Sequence, residues 1–191
     1  MTMALCHDSV VIALCLFMAL AFGGLDQYVG SFSAHPLGAD VSGLSAPWLV
    51  LPFVFGATQA TSRRAALLGL GTTLVALVGY MLMTFSPLEN AHLTLTGLIG
   101  FLRGGNMRWF GAGVVTGPVF AWLGYHWRAR RAMIAGLAVA ALVCLEPFFR
   151  HEYGNAIRST LVATCEVAAG MAFALAIAVR AVVDRSRHQA G

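Results

Sequence analysis

Residues 62–85 read SRRAALLGLGTTLVALVGYMLMTF, and this stretch decides the fold. Two arginines are followed by 21 residues, 65–85, without one charged side chain. At 1.5 Å per residue such a run makes a helix about 31 Å long, the thickness of a bilayer's hydrocarbon core. Five more apolar runs flank it, at about 9–29, 46–61, 107–125, 132–149 and 158–182. The second begins after Ala46-Pro47-Trp48, and proline fits the first turn of a helix. Trp48, Tyr80, Trp109, Trp122, Tyr125 and Trp127 fall near the ends of these runs, as an aromatic belt places them. The expected fold class is all-α: a polytopic membrane helix bundle with six transmembrane helices in one domain, 1–191.

Composition agrees. Of 191 residues, 59% are hydrophobic and 10% charged, and mean hydropathy is +0.77. A soluble domain carries roughly 25% charged residues, so this chain has too little polar surface to cover a water-facing globule. All twelve basic residues are arginine. They are spread over the gaps between runs rather than gathered into one stripe with interleaved aromatics, so the net charge of +4 points to lipid headgroups, not nucleic acid.

The arginines also give an orientation. Arg63, Arg64, Arg128, Arg130, Arg131, Arg180, Arg185 and Arg187 lie after the second, fourth and sixth runs. Only Arg103, Arg108, Arg150 and Arg158 lie on the other side, together with Asp26, Asp40, Glu89 and Glu152. By the positive-inside rule both termini are cytoplasmic (N-in/C-in), residues 183–191 form a polar cytoplasmic tail, and the short loops suit a bacterial-type plasma membrane. Residues 1–8 hold His7 and Asp8 but no Lys or Arg, so a retained first helix is expected rather than a signal peptide.

Two connections are less regular. Residues 30–45 read as a Gly/Ser-rich loop containing His35, Pro36 and Asp40, and 86–106 as an interfacial or re-entrant piece, its apolar part too short to span. Arg63-Arg64-Ala65 with Gly69-Leu70 recurs as Arg130-Arg131-Ala132 with Gly136-Leu137, 67 positions on. Either the two hairpins are parallel repeats, or every cytoplasmic hairpin needs arginines and every membrane helix uses Ala, Gly and Leu.

Ionisable groups inside a membrane are costly and mark functional sites by default. Asp26 and Gln27 lie near the outer end of the first run. Glu146 stands fifteen positions beyond Arg131, about 22 Å along a helix. Glu166 stands eight beyond Arg158, about 12 Å in, on a small, polar face with Ser159, Ala163 and Gly170. These acids share the outer half with Arg103, Arg108 and Arg158. The candidate ligand-binding set is Asp26, Gln27, Arg108, Glu146, Arg158 and Glu166, lining an outward-opening polar cavity; buried Arg–carboxylate pairs that only hold helices together are the alternative. Gly113 and Gly117 form a GxxxG pair for close packing, and Pro118 is expected to kink that helix.

Chemistry beyond binding finds little support. Cys6, Cys15, Cys144 and Cys165 are scattered without a CxxC, so no disulfide framework is expected. His35, His92 and His151 each lie near an acid in the outer loops, but His151-Glu152 lacks the second histidine of HExxH, and no metal or cofactor is expected. GxSxG, Walker A and GxGxxG are absent, and without lysine there is no Schiff-base chemistry.

Ser45-Ala46-Pro47-Trp48 with Gly56, then Ala65-Ala66-Leu67-Leu68-Gly69, Gly79-Tyr80, and Trp109, Gly117-Pro118 and Gly124 form a Gly/Pro/Trp pattern over residues 45–150. It resembles a family of small bacterial multi-helix membrane proteins, common in actinobacteria, that is defined as a domain of unknown function. The resemblance implies a bacterial integral membrane protein and carries no activity, substrate or catalytic residue.

Three functions are therefore expected in order: a small-solute binding or transport component; a non-catalytic structural or regulatory membrane subunit; and a membrane-embedded metal-dependent enzyme. The partners implied are the lipid bilayer, a small-molecule solute, and a membrane-protein partner or second copy, with no nucleic acid.

Overall fold

A computed structural model describes residues 2–31, 36–152 and 156–189, with side chains described for 8–31, 37–104, 107–152 and 156–180. Eight α-helices follow in order: α1 Thr2–Ser31, α2 Pro36–Ser42, α3 Ala46–Ala57, α4 Ser62–Thr84, α5 Leu95–Phe101, α6 Met107–Ala129, α7 Met133–Glu152 and α8 Thr160–Gln189. A 3-10 turn, Pro87–Glu89, follows α4, and a π turn, Leu102–Asn106, carries α5 into α6. No strand occurs among the described residues.

Each of the six apolar runs becomes a helix. Asp8–Ser31, Ser62–Thr84, Met133–Glu152 and Thr160–Arg180 are both long and apolar enough to cross a membrane. The two other runs differ for distinct reasons. With 12 residues α3 is only about 18 Å long, short of a hydrocarbon core. With 23 residues α6 has the length, but its glycines, Thr116, Arg108, His126 and Arg128 dilute its apolar character.

The irregular connections are more ordered than their composition implies. Residues 30–45 contain the two-turn helix α2. Residues 86–106 hold the 3-10 turn and then α5, which starts where the Thr94 hydroxyl accepts the Gly97 N–H at 3.0 Å. The expected polar tail is helical as far as Gln189; residues 190–191 lie outside those described.

Small residues make many of the closest helix contacts, beside buried large ones such as Phe53 (1% exposed) and Ile177 (3%), and many other large side chains face outward. Ala19, Ala65, Ala121, Val139 and Ala140 are at most 1% exposed, whereas Phe17, Leu67, Val115, Ile134 and Leu175 are at least 60% exposed. Large apolar side chains facing outward in such number are not expected of a water-soluble protein; lipid gives no drive to bury them, and helices in it meet through close backbone contact. Helices α1 and α4 run parallel, joined at one end by the Asp8–Arg64 ion pair (2.9 Å) and farther along by Gly23 against Ala76. Gly113 and Gly117 of α6 do lie in a close helix contact: a Cβ on Gly117 would stand 2.7 Å from the Gly69 carbonyl oxygen of α4. Helix α6 runs through Pro118 without a break.

Helices α3 and α6 meet by a reciprocal exchange. A Cβ on Gly56 would lie 2.0 Å from the Ala121 carbonyl oxygen, and one on Gly124 would lie 1.9 Å from that of Phe53. Gly56 to Gly124 and Phe53 to Ala121 are both steps of 68 (124 − 56 and 121 − 53), one residue from the arginine echo. The contact is therefore locally two-fold. At the same end, Arg128 donates to the Ala57 carbonyl at 2.7 Å.

Candidate functional site

The opposite end of the bundle, where α3 and α8 begin, gathers the acids. Helix α3 starts after Ser45, whose side chain makes no capping hydrogen bond. Unsatisfied N–H groups at a helix start need acceptors, and the partial positive charge there favours an anion. Glu146 of α7 supplies both: one carboxylate oxygen accepts the Ser45 N–H at 2.5 Å and the other the Ala46 N–H at 2.6 Å. The cap comes from a hundred residues away in sequence.

Helix α8 is started in the same manner. Asp40 of α2, only 7% exposed, accepts the Arg158 N–H at 3.2 Å and the Ser159 N–H at 2.6 Å. The Ser159 hydroxyl then accepts the Val162 N–H at 3.4 Å, completing the first turn. The consecutive pair α2–α3 is thus tied to the consecutive pair α7–α8 by two crossed carboxylate caps. Arg150, one turn beyond Glu146, pairs with it at 3.6 Å and also donates to the Gly43 carbonyl between α2 and α3.

Glu166 lies beneath these caps. It is 6% exposed on α8, on the face that also buries Val162, Gly170 and Ile177. The face packs tightly on α7, since a Cβ on Gly170 would stand 3.0 Å from the Ala140 carbonyl oxygen. The Glu166 carboxyl stands within hydrogen-bonding reach of the Glu146 carboxyl and within the field of Arg150. No hydrogen-bond donor among the described residues reaches either of its oxygens. A buried ionised carboxylate left this way is strongly unfavourable, so the pair has to be considered as a unit.

The structure thus brings Glu146 and Glu166 together and sets the other expected site residues apart. Asp26 of α1 accepts the Trp48 indole N–H at 3.3 Å, and Trp48 packs edge-on against Phe22 and Tyr80. The first turn of α3 is therefore held from one side by Glu146 and from the other, through Trp48, by Asp26. Gln27 is half-buried on α1. Arg108 is exposed and lies over the neighbouring Trp109 ring, 5.7 Å from its centroid. Arg158 is also exposed, and its backbone N–H, rather than its charge, joins the cluster.

Two contributors escaped the sequence reading. Arg150 was legible, being four positions after Glu146, where helical side chains meet. Asp40 had no local signal, because its partners lie 118 and 119 positions away. Among the described residues no three of His, Cys, Asp and Glu converge to hold a metal ion. His92 and His151 are exposed, and His35 lies outside the described residues.

No protein-family model, curated protein or solved structure matches the chain.

Proposed function

We propose that this chain is a six-crossing, N-in/C-in protein of a bacterial-type plasma membrane, of the actinobacterial kind it resembles, and that it binds or moves a small solute from its outer half. The observation that carries this reading is Glu166: a carboxyl buried to 6% exposure, without a donor among the described residues, in a segment apolar enough to cross a membrane. Intramembrane acids are retained where a solute, ion or proton uses them. The reading narrows the candidate set to Glu146 and Glu166 with Arg150, and leaves Asp26, Arg108 and Arg158 at most peripheral roles.

The test is a stability screen on the full chain in mild detergent against small polar and cationic solutes. A ligand that raises the melting temperature of the wild type, and not of Glu166→Gln, supports it. A screen with no shift, or a shift that survives Glu166→Gln, counts against it.

A second reading has its own support. The crossed caps from Asp40 and Glu146 give two acids a task that needs no solute, as expected of a structural or regulatory membrane subunit. On that reading the purified chain retains a partner or a second copy in mild detergent, and a solitary monomer would sink it.

A further inference from the structure

Glu146 has little acceptor capacity to spare. Its two oxygens take the Ser45 and Ala46 N–H groups, and Arg150 stands beside it. Its carboxyl stands within hydrogen-bonding reach of Glu166, which has no donor of its own among the described residues. Two carboxylates in contact repel when both are ionised, and the repulsion is large where water is scarce. The facing groups define the charge balance. On α7 Arg150 stands beside Glu146, and Cys144 lies against Gly170, one turn along α8 from Glu166; Asp40 of α2 lies at the start of α8, where Cys165 and Arg158 are exposed. Asp40 is compensated at the start of α8 by the two N–H groups it caps. Among the described residues Arg150 is the cation seen beside the two glutamates.

A single proton resolves both problems. We infer that Glu146 and Glu166 form a proton-binding site, in which the Glu166 carboxylic acid donates its O–H to the ionised Glu146 carboxylate, itself held by the α3 cap and Arg150. Glu166 then gains a partner, and Glu146 uses a remaining lone pair while Arg150 stands beside it. A proton is the smallest cation and needs no cavity. Among the described residues no three of His, Cys, Asp and Glu are placed to hold a metal ion, which argues against a divalent metal there. The inference rests on the solute-binding reading only in assigning the chemistry of the same site: the site takes a proton, and any solute movement through it is proton-linked.

Infrared spectroscopy of the full chain, reconstituted in lipid at neutral pH, reads this directly. The wild type should show a protonated carboxylic acid C=O band that shifts when glutamate is carbon-13 labelled and is lost in Glu166→Gln. In Glu146→Gln the band should remain but move, because its hydrogen-bond acceptor has changed. A wild type without such a band overturns the inference, as does a band that ignores glutamate labelling or survives Glu166→Gln. The wild-type arms decide even where a variant fails to fold. A band with no solute-induced stability shift leaves the proton site standing without the solute reading; a solute shift that depends on Glu166 with no band does the reverse.

Discussion

The Glu146 carboxylate on α7 accepts the backbone N–H of Ala46, at the start of α3, over 2.6 Å. Its other oxygen takes the neighbouring Ser45 N–H, so one side chain closes two of the four open donors of a helix that does not cap itself. Removing it should therefore cost more than an ordinary cap. Glu146→Ala is expected to destabilise by about 3 kcal/mol, the usual loss on breaking a buried charged contact, while Glu146→Gln, which keeps one acceptor, should lose about half as much. Denaturant titration in mixed micelles measures both. A loss in Glu146→Ala with none in Glu146→Gln would show that the side chain contributes only volume.

Asp40 should behave as a cap placed at a distance. Asp40→Ala is expected to cost about 1–2 kcal/mol and to speed amide exchange at residues 158–162, the start of α8, more than elsewhere in the bundle. The contrast is Asp8→Ala. Asp8 pairs with Arg64 at 2.9 Å, but both side chains are more than half exposed (53% and 54%), so its loss should stay below about 0.5 kcal/mol. Comparable costs for the two would remove the distinction between a buried cap and a surface pair.

These two acids mark the boundary of what sequence could tell. The six helices were readable because an apolar run needs no partner to declare itself, and the Gly113/Gly117 spacing correctly pointed to a close helix contact. Glu146 and Glu166 were readable because charge is rare in such runs. Their partners were not. Arg108 and Arg158 were reasonable choices by side of the membrane, yet side alone does not say which face of which helix a guanidinium occupies. Asp40 lay in a stretch whose Gly, Ser and Pro content resembles a loop, and α2 is held there by tertiary contacts that composition does not carry.

The α3–α6 contact tolerates no side chain at its crossing. Gly124→Ala places a Cβ 1.9 Å from the Phe53 carbonyl oxygen, and Gly56→Ala places one 2.0 Å from that of Ala121. Either should lower folded yield sharply, with losses of about 2 kcal/mol or more from forced helix displacement. Gly111→Ala on the same helix α6 meets nothing within 4 Å and should be neutral or gain up to about 1 kcal/mol of helix propensity. Size-exclusion profiles and melting curves of the three variants test the pattern, and tolerance of Gly124→Ala would mean that the two helices do not approach this closely.

The proposed orientation rests on the arginines. Reporter fusions after Arg64, in the turn between α6 and α7, and at the C-terminus should report the cytoplasmic side; fusions near Glu89 and Glu152 should report the outside. A C-terminal fusion active only outside the cell would reverse the assignment and move the acid pair to the inner half.

The central claim is that Glu146 and Glu166 act as one site, and a double-mutant cycle tests it most directly. Glu166→Gln alone should be almost neutral, since the amide donates to Glu146 as a carboxylic acid would. Combined with Glu146→Gln, the cost should depart from the sum of the single changes by about 1 kcal/mol or more, as for residues in contact. Additivity to within about 0.3 kcal/mol, the behaviour of independent sites, would contradict it.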